Sequence, residues 1–224
     1  MPDLIGVRVA QPRTRNQIRK YAYQLRKDLG LLETENFPIM HILEHVIPAI
    51  HPGFYLEPVE DQELQGRMAE TVPEQGVIRV KESVYQAACT GNAWARMIMA
   101  HELGHFLFHN SQNTAYAYME KGSRLPSDVD PERQADIFAA ELLIPLHLIG
   151  DKNVYQVQKH FGVSRSAARA QMMHATKVRK RHEHKTHIKE KRPSPEQLNR
   201  QSPVLYLLCE EDSVTGLSWL VAHP

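Results

Sequence analysis

Residues 93–109, AWARMIMAHELGHFLFH, decide the fold around the site in this 224-residue chain. Apolar residues occupy most sides of the run, which predicts a helix in the core. His101 and His105 would project from one face of it, so their ring nitrogens can hold one metal ion. Glu102 would lie beside the open coordination position, where a carboxylate can act as a base toward water. The alternative is a helix with polar residues on its surface, but a core helix must satisfy such groups and a metal does so.

Gly104 lies inside the same run, between the two His. Glycine in the middle of a helix costs about 1 kcal/mol relative to alanine. Its presence there predicts that another backbone passes close to the helix.

A second helix can supply the third protein ligand that a zinc hydrolase needs. Asp130 is a good N-cap, Pro131 suits the first helical position, and Pro145 closes the segment. Glu132 and Asp136 are one turn apart, so Glu132 can bind the metal while Asp136 accepts the second N–H of a ligating His. An ordinary acidic first turn, favoured by the helix dipole, is the alternative.

Glu141 competes with Glu132 for this role. The two lie on one predicted helix, separated by about 900° of rotation at 100° per residue, so they point to opposite sides. Asp136 shares the face of Glu132, and we therefore assign the ligand to Glu132. Glu141 is expected to meet solvent or a basic neighbour.

The two segments together resemble the ImmA/IrrE family of metallopeptidases. Members show HELGH-x-x-x-H followed by E-x-x-A-[ND]-x-F-A-x-x-L-L-x-P, and this chain has HELGHFLFH at 101–109 and ERQADIFAAELLIP at 132–145. The resemblance extends over roughly residues 10–175. It implies a zinc-dependent endopeptidase that cuts helix-turn-helix repressors and so switches on mobile-element or stress genes. Some relatives belong to toxin–antitoxin-like pairs.

The resemblance also implies a role for each matching residue. His101, His105 and Glu132 would bind Zn²⁺, Glu102 would be the catalytic base, and Asp136 would support a ligating His. The implied fold is α+β, with a helical zincin-like catalytic domain and a small antiparallel sheet.

Three other side chains near the motif have open roles. His109 is too far along the helix to join His101 on one ion, since the rise is about 1.5 Å per residue. It could support a ligand from behind, position a substrate, or be a core His with a backbone partner, which is the reading we favour. Tyr116 and Tyr118, expected in a loop, could donate to an oxyanion or pack on the surface.

The first part of the chain predicts two helices, Arg13–Leu31 and Ile39–Ile47. Alternation and the Gln75-Gly76 turn signal then predict strands at 54–59, 64–72 and 77–80. These would form the small antiparallel sheet, whose edge strand can hold an extended peptide.

A second His pair with helical spacing lies in the predicted helix 39–47. His41 and His45 have no adjacent Glu base, because Ile42 follows His41. We therefore expect a polar helix face there rather than a metal site.

Residues 151–176 read as a helix-turn-helix. Phe161-Gly162-Val163 predicts the turn, and Ser164 would cap the second helix. Arg165 and Arg169 would be exposed on that helix and could contact DNA, which makes a DNA-binding regulator the second hypothesis. The alternative is a helix pair that packs on the catalytic domain.

Residues 177–224 are expected to form a basic linker and a hairpin-like tail. The run 177–192 holds eight Lys or Arg against two Glu. It could contact phosphates or a partner, or be a solvated linker, which is the commoner case. The candidate contact residues in it are Lys177, Arg179, Lys180 and Arg181. The tail would pair residues 204–208 with 217–221.

Composition bounds the class of protein. With 42% apolar residues, the chain can bury one core plus an appendage. We therefore divide the chain into a peptidase domain at 1–150, the helix-turn-helix-like segment at 151–176, and the basic linker and tail at 177–224. Cys89 and Cys209 are the only cysteines, which favours a reducing compartment and argues against a Cys-based zinc site. No apolar run approaches the roughly 18 residues of a membrane helix, and no leader is evident, so we expect a cytoplasmic protein.

Overall fold

The structure, a computed structural model, describes residues 4–190 of the chain. Its helices are α1 (Arg15–Asp28), α2 (Ile39–His41), α3 (Ile47–Ile50), α4 (Glu82–Cys89), α5 (Ala93–Phe108), α6 (Pro131–Leu143), α7 (Leu146–Ile149), α8 (Val154–Phe161) and α9 (Arg165–Glu190). Its strands are β1 (Leu4–Ala10), β2 (Tyr55–Val59), β3 (Ala69–Val72), β4 (Val77–Lys81) and β5 (Thr114–Glu120). The expected α+β class is confirmed.

The strands form two small sheets. β1 pairs antiparallel with β5, from Leu4 opposite Glu120 to Ala10 opposite Thr114. In the second sheet β4 lies in the centre, parallel to β2 and antiparallel to β3. This sheet is therefore mixed and not purely antiparallel as expected. The chain reverses direction on entering β3 and again at Gly76, which returns it parallel to β2.

Two expectations about strands were wrong in detail. The strand predicted from residue 64 begins at Ala69, because turns occupy the residues before it. Tyr116 and Tyr118 do not lie in a loop but in β5, paired with Arg8 and Gly6 of β1. β1 was not predicted from the sequence.

The predicted helix at 39–47 continues to Ile50 with a π-helical turn at Ile42–Val46. Pro48 explains the wider turn, since it has no N–H for the carbonyl of Glu44 and its ring would collide with that group. His41 and His45 are both exposed on this segment.

The central contact of the core joins α5 to α6. A Cβ placed on Gly104 would lie 3.2 Å from the Cα of Ala135 and 3.1 Å from the ring of Phe138. The expectation that another backbone passes close to Gly104 is confirmed. The helices approach closely because no side chain separates them at this point.

Two buried charged groups tie the outer helices to this core. Glu141 of α6 accepts hydrogen bonds from Arg15 and Arg19 of α1 at 2.9 and 3.0 Å, and its side chain has no exposed surface. The basic neighbour expected for Glu141 is present, whereas the solvent alternative was wrong. Arg96 of α5 donates to the carbonyls of Phe161 and Gly162, at 3.2 and 2.9 Å, and so holds the turn between α8 and α9.

The predicted helix pair is formed by α8 and α9. Gly162 adopts a left-handed conformation with φ 60°, and the Ser164 hydroxyl accepts from the N–H of Ala167 at 3.2 Å. The pair contributes Val157, Phe161, Val163 and Ala168 to the core. α9 runs to Glu190, beyond residue 176 where the predicted helix-turn-helix segment ends, because no Gly or Pro interrupts it.

Contacts between residues divide the chain into two units, residues 1–178 and residues 179–224. The helix pair thus falls mostly in the first unit, together with the predicted peptidase domain. The predicted hairpin at 204–221, like Cys209, lies outside the described residues. Over 4–190, no helix is long and apolar enough to cross a membrane.

Gly104→Val is expected to lower the free energy of unfolding by about 1–3 kcal/mol, because the new methyl groups collide with Ala135 and Phe138. Gly53→Val is the matched control, since a Cβ at that position meets no atom within 4 Å. Chemical denaturation of both variants measures the difference. Equal stability of the two would contradict the close packing of α5 and α6.

Candidate metal centre

Helix α5 presents His101 and His105 toward the first turn of α6. The Nε2 atoms of the two His lie 2.9 Å apart. Glu132 approaches both, with Oε2 3.3 Å from His101 Nε2 and Oε1 3.4 Å from His105 Nε2. Asp130 caps α6 by accepting from the N–H groups of residues 132 and 133, and this fixes the turn that carries Glu132.

These distances are close to those between side chains that share one metal ion. Ligand atoms about 2.1 Å from zinc are separated from one another by about 3.4 Å in a tetrahedron. Within the described part of the chain, His101, His105 and Glu132 form the one group of three that could hold a metal. Two imidazoles and a carboxylate are ligand types that suit a divalent metal ion, so the residues present fit such an ion.

Each His also has a partner on its other ring nitrogen. Asp136 Oδ1 lies 3.1 Å from His101 Nδ1, the arrangement by which a carboxylate orients a ligating His. His109 Nδ1 lies 2.9 Å from His105 Nδ1. His109 is 1% exposed, and its Nε2 lies 3.2 Å from Gln134 Oε1. The backbone partner that we favoured for His109 was wrong, because side chains of α5 and α6 satisfy both nitrogens.

Glu102 lies beside the His pair and does not reach into the group of three. It is 8% exposed and lines the cleft. Thr71 of β3 donates its hydroxyl to Glu102 Oε2 at 2.6 Å. The strand thus holds this carboxylate at the cleft wall, where it can exchange a proton with a molecule in the cleft.

The electrostatics of the site favour positive charge between the His and the acids. Burial lowers the pKa of His101, but hydrogen bonds with Asp136 and Glu132 outweigh it and raise the pKa to about 9. Hydrogen bonds from His101 and then His105 lower the pKa of Glu132 far below its usual range. Burial, followed by the charge of His105, lowers the pKa of His109 to about 3, which keeps it neutral.

The site opens into a cleft of about 620 Å³. One wall is β3 with the residues before it, and the other is α5. Along α5 the lining residues run from Trp94, Met97 and Ile98, which are apolar, through Glu102, which contacts Thr71, to His109, whose carbonyl accepts from Arg8 at 3.1 Å. Met68 also lines the cleft.

Other candidate residues lie away from this cleft. Tyr116 and Tyr118 are 82% and 81% exposed and do not line it, so the structure gives no support for oxyanion contact. His41 and His45 do not join a group of three ligands within the described residues. Arg165 and Arg169 are exposed on α9.

The basic residues that follow on α9 are exposed as well. They are Lys177, Arg179, Lys180 and Arg181.

Three residues that contact the site were not predicted from the sequence: Thr71, Arg8 and Gln134. Thr71 and Arg8 come from strands distant in sequence, and nothing in their neighbourhood marks them. Gln134 could have been found, since it lies on α6 between Glu132 and Asp136 and would be a polar residue on a buried face.

One comparison with known proteins gave a match. Residues 93–173 match the model of the IrrE N-terminal-like domain, Peptidase_M78. No curated protein and no solved structure matched the chain. The matched stretch includes the His pair on α5, Glu132 and Asp136 on α6, α8, and the first part of α9. The expected ImmA/IrrE resemblance is thus confirmed: over residues 93–173 the chain is similar to the IrrE N-terminal-like domain of this metallopeptidase family.

Proposed function

We propose that this protein is a zinc-dependent endopeptidase with a gluzincin-like ligand set. The observation that supports it best is the approach of His101, His105 and Glu132 to within 3.4 Å of one another beside Glu102. Zinc held there would polarise a carbonyl and lower the pKa of water toward about 7. The family match supports a metallopeptidase, and with it a protein substrate.

Glu102 is the general base in this proposal. It takes the proton of the attacking water and returns it to the leaving amine. Thr71 directs the carboxylate, because its hydroxyl donates to Oε2 and leaves Oε1 for the water. Asp136 holds His101 in the orientation that turns Nε2 toward the ion.

The peptide would bind along β3. This strand is an outer strand of its sheet and lines the cleft, so its backbone groups can bind an extended segment by strand addition. A segment lying there would pass Glu102 at Thr71. Its flanks would meet the apolar wall at Trp94 on one side and the guanidinium of Arg8 on the other.

The substrate proposed is a helix-turn-helix transcriptional repressor encoded nearby, whose cleavage switches on mobile-element or stress genes. Such a substrate places the enzyme in the cytoplasm. The direct test is co-incubation of the zinc-loaded protein with that repressor, read by mass spectrometry. An intact repressor under these conditions would contradict this choice of substrate.

Glu102→Gln is expected to keep near-stoichiometric zinc while proteolysis falls by several orders of magnitude, because the base is lost and the ligands remain. Elemental analysis and the cleavage assay measure the two properties separately. Loss of the metal in this variant would show that Glu102 is a ligand and that the assigned roles are wrong.

Three variants of α6 test the ligand assignment by zinc titration. Glu132→Ala should weaken zinc binding strongly, and Asp136→Ala should lower affinity or activity by about 10–100-fold. Glu141→Gln is the control on the same helix: its partners Arg15 and Arg19 lie away from the metal, so zinc affinity should not change. Normal zinc binding by Glu132→Ala would refute the assignment.

A second function, nucleic-acid binding by a regulator or a toxin–antitoxin component, is favoured by one observation. Arg165 and Arg169 are exposed on α9 after a tight helical turn, as on a recognition helix. The exposed basic residues that follow could contact phosphates. The helix pair also contributes to the core, which is enough to explain its presence without DNA.

Neutralising Lys177, Arg179, Lys180 and Arg181 together should leave cleavage of a short repressor-derived peptide unchanged, because the proposed ligands and base all lie before residue 150. The same variant should lose salt-dependent retention on duplex DNA if the second function holds. A large loss on the short peptide would instead show that these residues belong to the active site.

A further inference from the structure

Gln134 is a buried amide whose orientation is set by groups of fixed polarity. Its Nε2 donates to the carbonyls of Gln11 and Asp128 at 2.9 and 2.6 Å, and a carbonyl can only accept. Its Oε1 accepts from the guanidinium of Arg13 at 3.4 Å, and a guanidinium can only donate. The oxygen of Gln134 therefore faces His109, and the amide cannot be reversed without losing three contacts.

This orientation determines where the proton of His109 lies. Since Gln134 Oε1 accepts, His109 Nε2 at 3.2 Å must carry the hydrogen. His109 is 1% exposed and neither of its ring partners is a carboxylate, so a charge there would be buried without a counter-charge and the ring is neutral. A neutral imidazole has one N–H, so His109 Nδ1 is an acceptor. It lies 2.9 Å from His105 Nδ1, which must then be the donor.

The hydrogen bond from His105 to His109 also determines which ring nitrogen of His105 carries the proton. With its proton on Nδ1, neutral His105 has its lone pair on Nε2, the atom that faces His101 and Glu132. A reversed Gln134 would place the proton of His109 on Nδ1, and His105 Nε2 would become an N–H that cannot bind a metal.

We propose that Gln134 and His109 form a hydrogen-bond relay that fixes the tautomer and ring orientation of His105. The inference rests on the metal site proposed above, but on neither the substrate nor proteolysis. Gln134 and His109 are positioning residues, because neither belongs to the group of three proposed ligands and both side chains are almost fully buried. His101 is oriented by a carboxylate that is 59% exposed, whereas His105 is oriented by two neutral side chains that are almost fully buried.

The first test compares side chains of equal size at position 109. His109→Asn keeps an acceptor oxygen close to where Nδ1 lies, whereas His109→Leu has nearly the same shape and no acceptor. His109→Leu should weaken zinc binding by about 10–100-fold, and His109→Asn should restore most of that loss. Affinity is measured by competition with a chromophoric chelator. Parent-like affinity in His109→Leu, or an equal loss in both variants, would overturn the relay.

A second pair separates the relay from the general cost of losing a buried amide. Gln134→Met should lose zinc affinity to the same extent as His109→Leu. Gln171→Met removes a buried Gln that likewise donates to a carbonyl, of Ile144, and accepts from an arginine, Arg15. It should lower the unfolding temperature and leave zinc affinity unchanged. Equal zinc affinities in the two variants would refute a specific role for Gln134.

The proton position is read directly from long-range ¹H–¹⁵N correlation spectra of the parent protein. His109 should be neutral with its proton on Nε2. A proton on Nδ1 would refute the relay whatever the affinities are. Absence of zinc binding by the parent protein would instead refute the proposed metal site, and the spectrum would still decide whether the relay exists.

Discussion

The Cα of Ala135 on α6 lies 3.2 Å from the point where a side chain at position 104 would begin. This contact sets the distance between α5 and α6, and the proposed metal site depends on that distance. Ligand atoms on one ion lie only a few Å apart, so Glu132 could share an ion with His101 and His105 only if its helix lies against theirs. A glycine that weakens α5 locally is therefore what allows the site to form between two helices.

Burial determines how the polar groups around this contact are arranged. The low-dielectric core makes an unpaired donor or acceptor costly, and so the second nitrogen of each His has a partner. On the solvent side that partner is Asp136, whose charge can be screened by water. On the core side the partner is neutral His109, whose Nε2 is hydrogen-bonded to Gln134. The amide nitrogen of Gln134 in turn donates to two backbone carbonyls, which can neither rotate freely nor titrate.

The same requirement explains how the remaining helices are attached. Glu141 is fully buried on the opposite side of α6 and is matched by two arginines of α1. Arg96 on α5 is buried as well and is matched by carbonyl groups of the turn between α8 and α9. Removing one partner of such a buried pair leaves an uncompensated charge, which destabilises a protein more than the pair itself stabilises it. The helix pair is in this way part of the core and not a separate module.

Much of the fold and of the site could be predicted from the sequence because it depends on local spacing. The His pair, the adjacent Glu102, the capped helix with Glu132 and Asp136, and the glycine-centred turn at Gly162 all lie within single helices or turns. Strand pairing could not be predicted in this way, because alternation of apolar and polar residues does not say which strand lies next to which. For this reason three features were missed: strand β1, the parallel pairing of β2 with β4, and the position of Tyr116 in β5. The sequence by itself determined which residues can bind a metal and on which helix faces they lie. Only the tertiary structure decided that Thr71 contacts Glu102 and that Gln134 contacts His109 behind His105, because those contacts join segments whose distance in space is set by packing and not by sequence.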